Sequence, residues 1–149
     1  MPKFDKFTKN IKIKLMDEKI VKFLHKMQLL TLGVIIENKP YACSAFYAYD
    51  EKNYRIIIAS SEQTAHIKAI NLNQNVSICI ALDTKIIGKI KGIQALGIIK
   101  KTSDENKQIY YKKFPYAIAY PSDMYEINLT WIKFTDNTLG FGKKLIWQI

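Results

Sequence analysis

A short segment near the middle of the chain concentrates side chains that can bind a phosphate. Ser60 and Ser61 follow a run of β-branched residues, and Thr64 comes a few residues later. His66 and Lys68 add an imidazole and an ammonium group in a predicted short helix. Hydroxyl groups, cationic groups and the free N–H groups at the start of a helix bind phosphate well. Plain capping of the helix by Ser61 or Thr64 is the alternative interpretation.

The other familiar catalytic arrangements are missing from the sequence. The two histidines, His25 and His66, and the two cysteines, Cys43 and Cys79, lack the spacing of a zinc or redox site. We expect both cysteines to be reduced and buried, His25 to be exposed, and no metal to be bound. No phosphate loop, nucleophile elbow or dinucleotide-binding glycine motif occurs. We assign no catalytic residue and expect any catalysis to come from a bound cofactor.

Composition and charge narrow the class of protein. The chain has 149 residues, enough for a core without disulfides or metals, and a formal net charge of +10. Only Arg55 among its 23 basic residues is arginine. Because contacts to bases and phosphates favour arginine, we interpret the charge as solvated surface and do not expect a nucleic-acid partner. We expect no membrane partner and a cytoplasmic location, because the apolar runs are too short for a span or a signal peptide.

The periodicity of the chain predicts a mainly β protein. Apolar residues at helical spacing between Met16 and Gln28 predict an opening amphipathic helix, and Ser103 caps a later helix that ends before Pro115. Short connections favour antiparallel pairing of the strands. The predicted strands are Leu32–Glu37, Tyr41–Tyr49, Tyr54–Ala59, Asn75–Leu82, Ile86–Lys100, Met124–Asn128 and Lys143–Gln148. We therefore expect a basic N-terminal arm at 1–15 and a single β-barrel domain with peripheral helices at 16–149.

In this order, the elements resemble the pyridoxamine 5′-phosphate oxidase-like family of FMN-binding split β-barrels. The resemblance rests on the hairpin from Pro40 to Ala59, the Ser60-Ser61-x-x-Thr64-x-His66 turn with Asn73 downstream, and the strand containing Lys91-Gly92-Ile93-Gln94. The C-terminal run from Ile132 to Trp147 is similar to the signature of the small, uncharacterised YhbP-like subgroup.

The resemblance implies a homodimeric flavoprotein that binds FMN in clefts between its subunits and acts as a small oxidoreductase of unknown substrate. The connector between the last two strands is implied to close the cleft of the partner subunit. The cofactor-binding positions implied by the family are Cys43, Ser44, Ala45, Phe46, Ser60, Ser61, Thr64, His66, Lys68, Gln94, Thr135, Asn137 and Lys143.

The sequence departs from the family pattern at two sites. His66 stands where the oxidases have a lysine, which gives a pH-sensitive phosphate partner that an inward Lys68 could supplement. Cys43 stands where the true oxidase has a flavin-binding arginine, and the Arg-Leu-His-Asp-Arg motif that holds the substrate phosphate is missing. We therefore do not expect pyridoxine phosphate oxidation. The alternative is a non-catalytic split barrel that binds a ligand or a partner with weak or no flavin, and a deazaflavin or haem in place of FMN stays open.

Overall fold

The computed structural model describes residues 15–149, so the predicted basic arm, apart from Leu15, lies outside the described residues. The α-helices in this part are α1 (Glu18–Lys26), α2 (Ala65–Ile70) and α3 (Asp104–Lys113). The strands are β1 (Leu29–Ile36), β2 (Lys39–Asp50), β3 (Arg55–Ala59), β4 (Asn75–Ala81), β5 (Lys91–Lys101), β6 (Met124–Asp136) and β7 (Lys144–Gln148). Within residues 15–149 no helix has both the length and the apolar character needed to cross a membrane.

Antiparallel pairing closes these strands into a barrel. The strand order is β3-β2-β1-β4-β5-β6-β7, and β3 also pairs with β6. One edge of β6 is shared between two strands, because Met124–Asn128 pairs with β3 whereas Trp131–Thr135 pairs with β7. The predicted mainly β-barrel with peripheral helices is confirmed.

β6 is longer than the sequence predicts. We expected a strand that ends at Asn128, but β6 continues to Asp136. The prediction was wrong because β6 contains a bulge. Leu96 of β5 pairs with Trp131 and Gly97 pairs with Leu129, so Thr130 is an extra residue that disturbs the alternation along β6. A Cβ on Gly97 would lie 2.8 Å from the carbonyl oxygen of Asn128, so glycine allows the two backbones to approach. In β5, by contrast, the predicted start at Ile86 was too early, and the strand begins at Lys91.

Helix α1 packs against the barrel interior. Its buried side chains Ile20, Phe23 and Leu24 are spaced as the sequence predicts. The ring of Phe23 lies 5.3 Å from that of Phe134, and the hydroxyl of Tyr47 donates to the Leu24 carbonyl at 2.7 Å. Burial of each large apolar side chain contributes roughly 1.5–3 kcal/mol, so the helix is held mainly by these side chains.

A buried polar cluster joins α3 to β2, β3 and β6. The Nε of Arg55 donates to Asp50 at 2.7 Å, its Nη1 donates to Glu126 at 3.2 Å, and its Nη2 donates to Asn106 at 3.0 Å. Asp50 and Glu126 are only 7% and 4% exposed. Carboxylates removed from water in this way require a cationic or hydrogen-bonding partner. The arginine of this chain therefore has a structural role.

Replacement of Arg55 with methionine is expected to lower the free energy of unfolding by about 3 kcal/mol, because Asp50 and Glu126 remain buried without their cation. Urea unfolding followed by circular dichroism measures this change. Lys52→Met removes an exposed charge and is the matched control, with an expected change below about 0.5 kcal/mol. Equal effects of the two substitutions would contradict the structural role of Arg55.

Candidate functional site

The predicted phosphate turn forms a compact cluster of hydroxyl groups and an imidazole between β3 and α2. The Nε2 of His66 lies 2.7 Å from the Ser60 hydroxyl and 3.3 Å from the Thr64 hydroxyl. Thr64 is the N-cap residue of α2, but its hydroxyl donates to the Ser61 carbonyl at 2.8 Å and does not cap the helix. The Ser61 hydroxyl accepts from the Gln63 N–H at 3.2 Å, so it stabilises the turn locally. The structure therefore gathers Ser60, Thr64 and His66 and leaves Ser61 exposed outside the cluster.

Two contacts fix the position of this turn. The backbone N–H of Ser60 donates to the carbonyl of Asp123 at 2.9 Å, immediately before β6 begins. Ile67 and Ile70 are buried, as predicted, and they anchor α2 against β1 and β2. The same helical spacing places Lys68 on the exposed side of α2, so Lys68 does not turn inward toward His66.

The environment of His66 favours its neutral form. Partial burial lowers the pKa of His66, because a less polar surrounding disfavours the imidazolium ion. Its hydrogen-bond partners among residues 15–149 are the uncharged hydroxyls of Ser60 and Thr64. The cluster therefore offers hydrogen bonds at neutral pH, but it lacks the permanent charge that a lysine would provide.

The predicted flavin-flanking strand lies beside this turn. β3 pairs with Tyr47–Asp50 of β2, so the edge of Cys43–Phe46 opposite β1 has no strand partner in the described part of the chain. Cys43 and Ala45 pack against the core, whereas the side chains of Ser44 and Phe46 are exposed. Uncovered strand edges present backbone N–H and C=O groups that can bind a planar polar ring.

The remaining predicted site residues lie on a different part of the surface. Gln94 is exposed on β5, and Thr135 is half-buried near the end of β6. Paired positions form one row across the outside of the sheet, namely Ser44, Thr31, Cys79, Gln94 and Lys133. With strands about 4.8 Å apart, the two ends of this row are separated by about 19 Å along the sheet. One copy of the chain therefore does not bring Gln94 and Thr135 to the turn.

The connector between β6 and β7 is held by its own hydrogen bonds. The side chain of Asn137 donates to the Ile87 carbonyl at 2.9 Å, and its oxygen accepts from the Gly142 N–H at 3.1 Å. Gly140 and Gly142 have φ angles of 132° and 72°, which few other residues adopt. Asn137 thus shapes the connector through both ends of its amide group, whereas Lys143 is exposed.

An uncharged face on the outside of β2, β1, β4 and β5 was missed by the sequence reasoning. Its outward residues are Thr31, Gly33, Ala42, Ser44, Ser77, Cys79, Ala81, Gly92, Gln94 and Leu96. In a chain with 24% charged residues and a net charge of +10, an outward surface without charge is typical of a contact between subunits. The sequence feature that indicates this face is the presence of small side chains at alternate positions of a strand, such as Ser77, Cys79 and Ala81.

The cysteine and histidine predictions are partly corrected. Cys79 is exposed in the uncharged face, so the prediction of two buried cysteines was wrong for this residue. Because Ile78 and Ile80 face the core, strand alternation turns Cys79 outward. Cys43 is partly buried, which raises the pKa of its thiol. His25 is exposed as predicted, and its Nε2 lies 3.0 Å from a carboxylate oxygen of Glu51.

His66 is expected to titrate below the usual histidine pKa of about 6.5. The unfolded chain then binds this proton at a higher pH than the folded chain. The free energy of unfolding should therefore fall as the pH is lowered from about 7 and level off once folded His66 is protonated. NMR titration of the His25→Gln variant, in which His66 is the only histidine, measures this pKa directly. A value at or above 6.5 would contradict the burial argument.

Comparison with solved structures identifies the fold. A putative pyridoxamine 5′-phosphate oxidase from Listeria innocua matches with a TM-score of 0.64 at 15% identity, covering 78% of this chain and 94% of that one. A FAD-binding protein from Mesorhizobium loti matches with a TM-score of 0.65 at 14% identity, covering 79% and 92%. A haem-binding protein from Mycobacterium smegmatis matches with a TM-score of 0.68 at 13% identity, covering 85% and 55%. At these identities the matches establish the split-barrel fold alone.

Comparison with curated sequences identifies the family, although no protein-family model matches the chain. UPF0306 proteins of Campylobacter jejuni are 44% identical over 131 residues, which cover 87% of this chain and 96% of theirs. The UPF0306 protein YhbP of Salmonella schwarzengrund is 34% identical over 132 residues, covering 86% and 90%. The suspected YhbP-like subgroup is thereby confirmed, and the chain belongs to the UPF0306 family.

Proposed function

We propose that this protein is a homodimeric flavoprotein that binds FMN in two sites between its subunits and acts as a small oxidoreductase. The observation that carries the proposal is the cluster of Ser60, Thr64 and His66 beside the uncovered edge of β2. A phosphate-binding cluster and a strand edge for a planar ring are the two features that FMN requires. Solved neighbours named as FAD-binding and haem-binding support a cofactor in this fold.

The phosphate group fits the donors of the turn. The Ser60 hydroxyl lies 2.7 Å from the His66 Nε2 and can donate to a phosphate oxygen beside the imidazole. The Thr64 hydroxyl can donate as well once it releases its hydrogen bond to the Ser61 carbonyl. Protonated His66 would add a charged donor. A bound phosphate dianion favours the imidazolium form and therefore raises the pKa of His66 from its lowered value.

The isoalloxazine ring fits the neighbouring strand edge. Backbone groups of Cys43–Phe46 can hydrogen-bond its polar edge, and the side chains of Cys43 and Ala45 turn away into the core. When bound, the flavin supplies the chemistry of hydride or electron transfer. The residues of this chain bind the cofactor, orient it and exclude water from it.

A dimer across the uncharged face would complete this site. Consider a two-fold axis that lies in the plane of the face and runs parallel to the strands. This axis places the β2 side of the face in one subunit opposite the β5 side of the face in the other subunit. Gln94 and Thr135 of the partner subunit then come opposite the turn and the β2 edge. In one copy, Gln94 lies three strand spacings, about 14 Å, from Ser44, and Thr135 lies on the next strand beyond it. These residues can therefore act on one flavin with the turn only across such an interface.

A second candidate function is a split barrel that binds a ligand or partner with weak or no flavin. The lowered pKa of His66 and the outward orientation of Lys68 favour it, because both leave Ser60 and Thr64 without a charged partner. The ammonium group of Lys101 lies at the turn, but it is paired with Glu62 at 2.7 Å. The two candidates differ in whether a phosphate group strengthens flavin binding.

The Ser60→Ala, Thr64→Ala double variant is expected to bind FMN about 10- to 100-fold more weakly, because each lost hydrogen bond to a charged group contributes about 1.5–3 kcal/mol and the remaining contacts partly compensate. Titration of flavin fluorescence measures the affinity. Riboflavin lacks the phosphate, so its affinity should be the same for both proteins. Ser61→Ala, outside the cluster, is the control variant. Equal binding of FMN and riboflavin by the wild-type protein would favour the second candidate.

Thr31→Lys is expected to convert the dimer to a monomer, since it places a positive charge near the centre of the uncharged face, where desolvation and repulsion oppose association. Size-exclusion chromatography with light scattering measures the mass. Gln108→Lys adds the same charge on the exposed side of α3 and should leave the dimer intact. A wild-type monomer, or a folded Thr31→Lys dimer, would show that this face is not the interface.

A further inference from the structure

An exposed apolar rim borders the uncharged face. It comprises Ile86, Ile87 and Ile90 in the loop between β4 and β5 and Leu139 and Phe141 in the connector between β6 and β7. Phe141 is 84% exposed and Ile87 is 63% exposed. Asn137 joins the two segments, because its side chain bonds to the Ile87 carbonyl and its N–H donates to the Ile90 carbonyl at 3.0 Å. The rim is therefore a built surface and not a set of scattered apolar residues.

Lysines surround this rim. Lys85, Lys89, Lys143 and Lys144 are exposed, and in the described part of the chain none of them forms an ion pair. The Asp136 carboxylate is buried, lies 3.9 Å from the Lys91 ammonium and accepts two hydrogen bonds from Thr138. Asp83 is the one exposed carboxylate in the two segments that carry the rim, 82–90 and 137–143. The surface around the rim is therefore apolar and carries an excess of positive charge.

We propose that the rim binds the substrate in the flavin site that two subunits form together, called here the composite flavin site, and that it selects an apolar organic anion. The apolar side chains would cover the body of the substrate, and the lysines would hold its anionic group. This inference rests on the proposed function, because the rim reaches a flavin only in the dimer. Lys144 is the register partner of Thr135, so the two-fold axis that brings Thr135 to the partner's turn also brings the rim there.

The chemistry of the rim argues against other occupants. A rim-to-rim contact between two copies would bring lysines against lysines. A nucleic acid would leave the isoleucines without a suitable partner, and the rim contains no arginine to clamp phosphates. A compact apolar anion satisfies both the exposed hydrocarbon and the ammonium groups that form no ion pair within the described residues.

Two fluorescent probes with the same aromatic skeleton test this inference on the FMN-loaded dimer. 1-Anilinonaphthalene-8-sulfonate is an apolar anion, and N-phenyl-1-naphthylamine is its uncharged counterpart. We expect the anion to bind about tenfold more tightly, with one molecule per flavin. Phe141→Ser should weaken both probes several-fold, whereas the Lys143→Gln, Lys144→Gln double variant should weaken only the anion. Tyr116→Ser, which removes a 92% exposed aromatic ring elsewhere, is the control and should change neither affinity.

The outcomes separate this inference from the proposed function. If FMN binds and the dimer forms, but Phe141→Ser leaves probe binding unchanged, the substrate assignment is wrong and the flavin site stands. If FMN does not bind or no dimer forms, the composite site does not exist and both proposals fail. Binding to phosphatidylglycerol vesicles that is lost in Phe141→Ser, without stoichiometric probe binding, would assign the rim to a membrane surface and overturn the substrate role.

Discussion

The division of one edge of β6 between β3 and β7 is the constraint on which the rest of the structure depends. The other edge of β6 pairs with β5 along almost its whole length, and a bulge at Thr130 of β6, opposite Leu96 and Gly97, accommodates this long pairing. The β3 segment closes the barrel, and the β7 segment leads into the connector. β6 thereby places the phosphate turn at its beginning, through the bond from Ser60 to Asp123, and the rim at its end. Two parts of one proposed site are thus separated within each copy.

Local features of the fold were predictable from the sequence, but features that depend on distant pairing were not. Helical spacing predicts the buried side of α1, and the spacing of Ile67 and Ile70 already implied an outward Lys68. The end of β6 was misjudged because the bulge at Thr130 interrupts the alternation of its side chains, and the strand β5 that pairs with β6 on both sides of the bulge lies about 30 residues away in sequence. The uncharged face went unnoticed because small alternating residues are recognisable as a surface only when four strands are aligned.

The candidate site was predictable only in part for the same reason. Resemblance to a known family suggested Ser60, Thr64 and His66, and their proximity follows from a single turn of chain. Gln94 and Thr135 were suggested with them, yet the sequence does not show that the sheet separates these positions from the turn. The internal hydrogen bonds of Asn137 depend on the loop before β5, a contact across about 50 residues. Residues that the family resemblance suggests for one cofactor site can therefore come from different subunits.

In the proposed dimer, the distribution of positive charge separates the binding of the cofactor phosphate from the binding of an anionic substrate. Arg55 is committed to Asp50 and Glu126, and His66 is held in its neutral form by burial, so neither supplies a free cation at the turn. The free lysines around the rim, such as Lys143, lie at the other end of β6. A dimer across the uncharged face would place these lysines next to the partner's turn. Their charge would then be available to the anionic group of a substrate beside the flavin, whereas the hydroxyls of Ser60 and Thr64 would bind the cofactor phosphate.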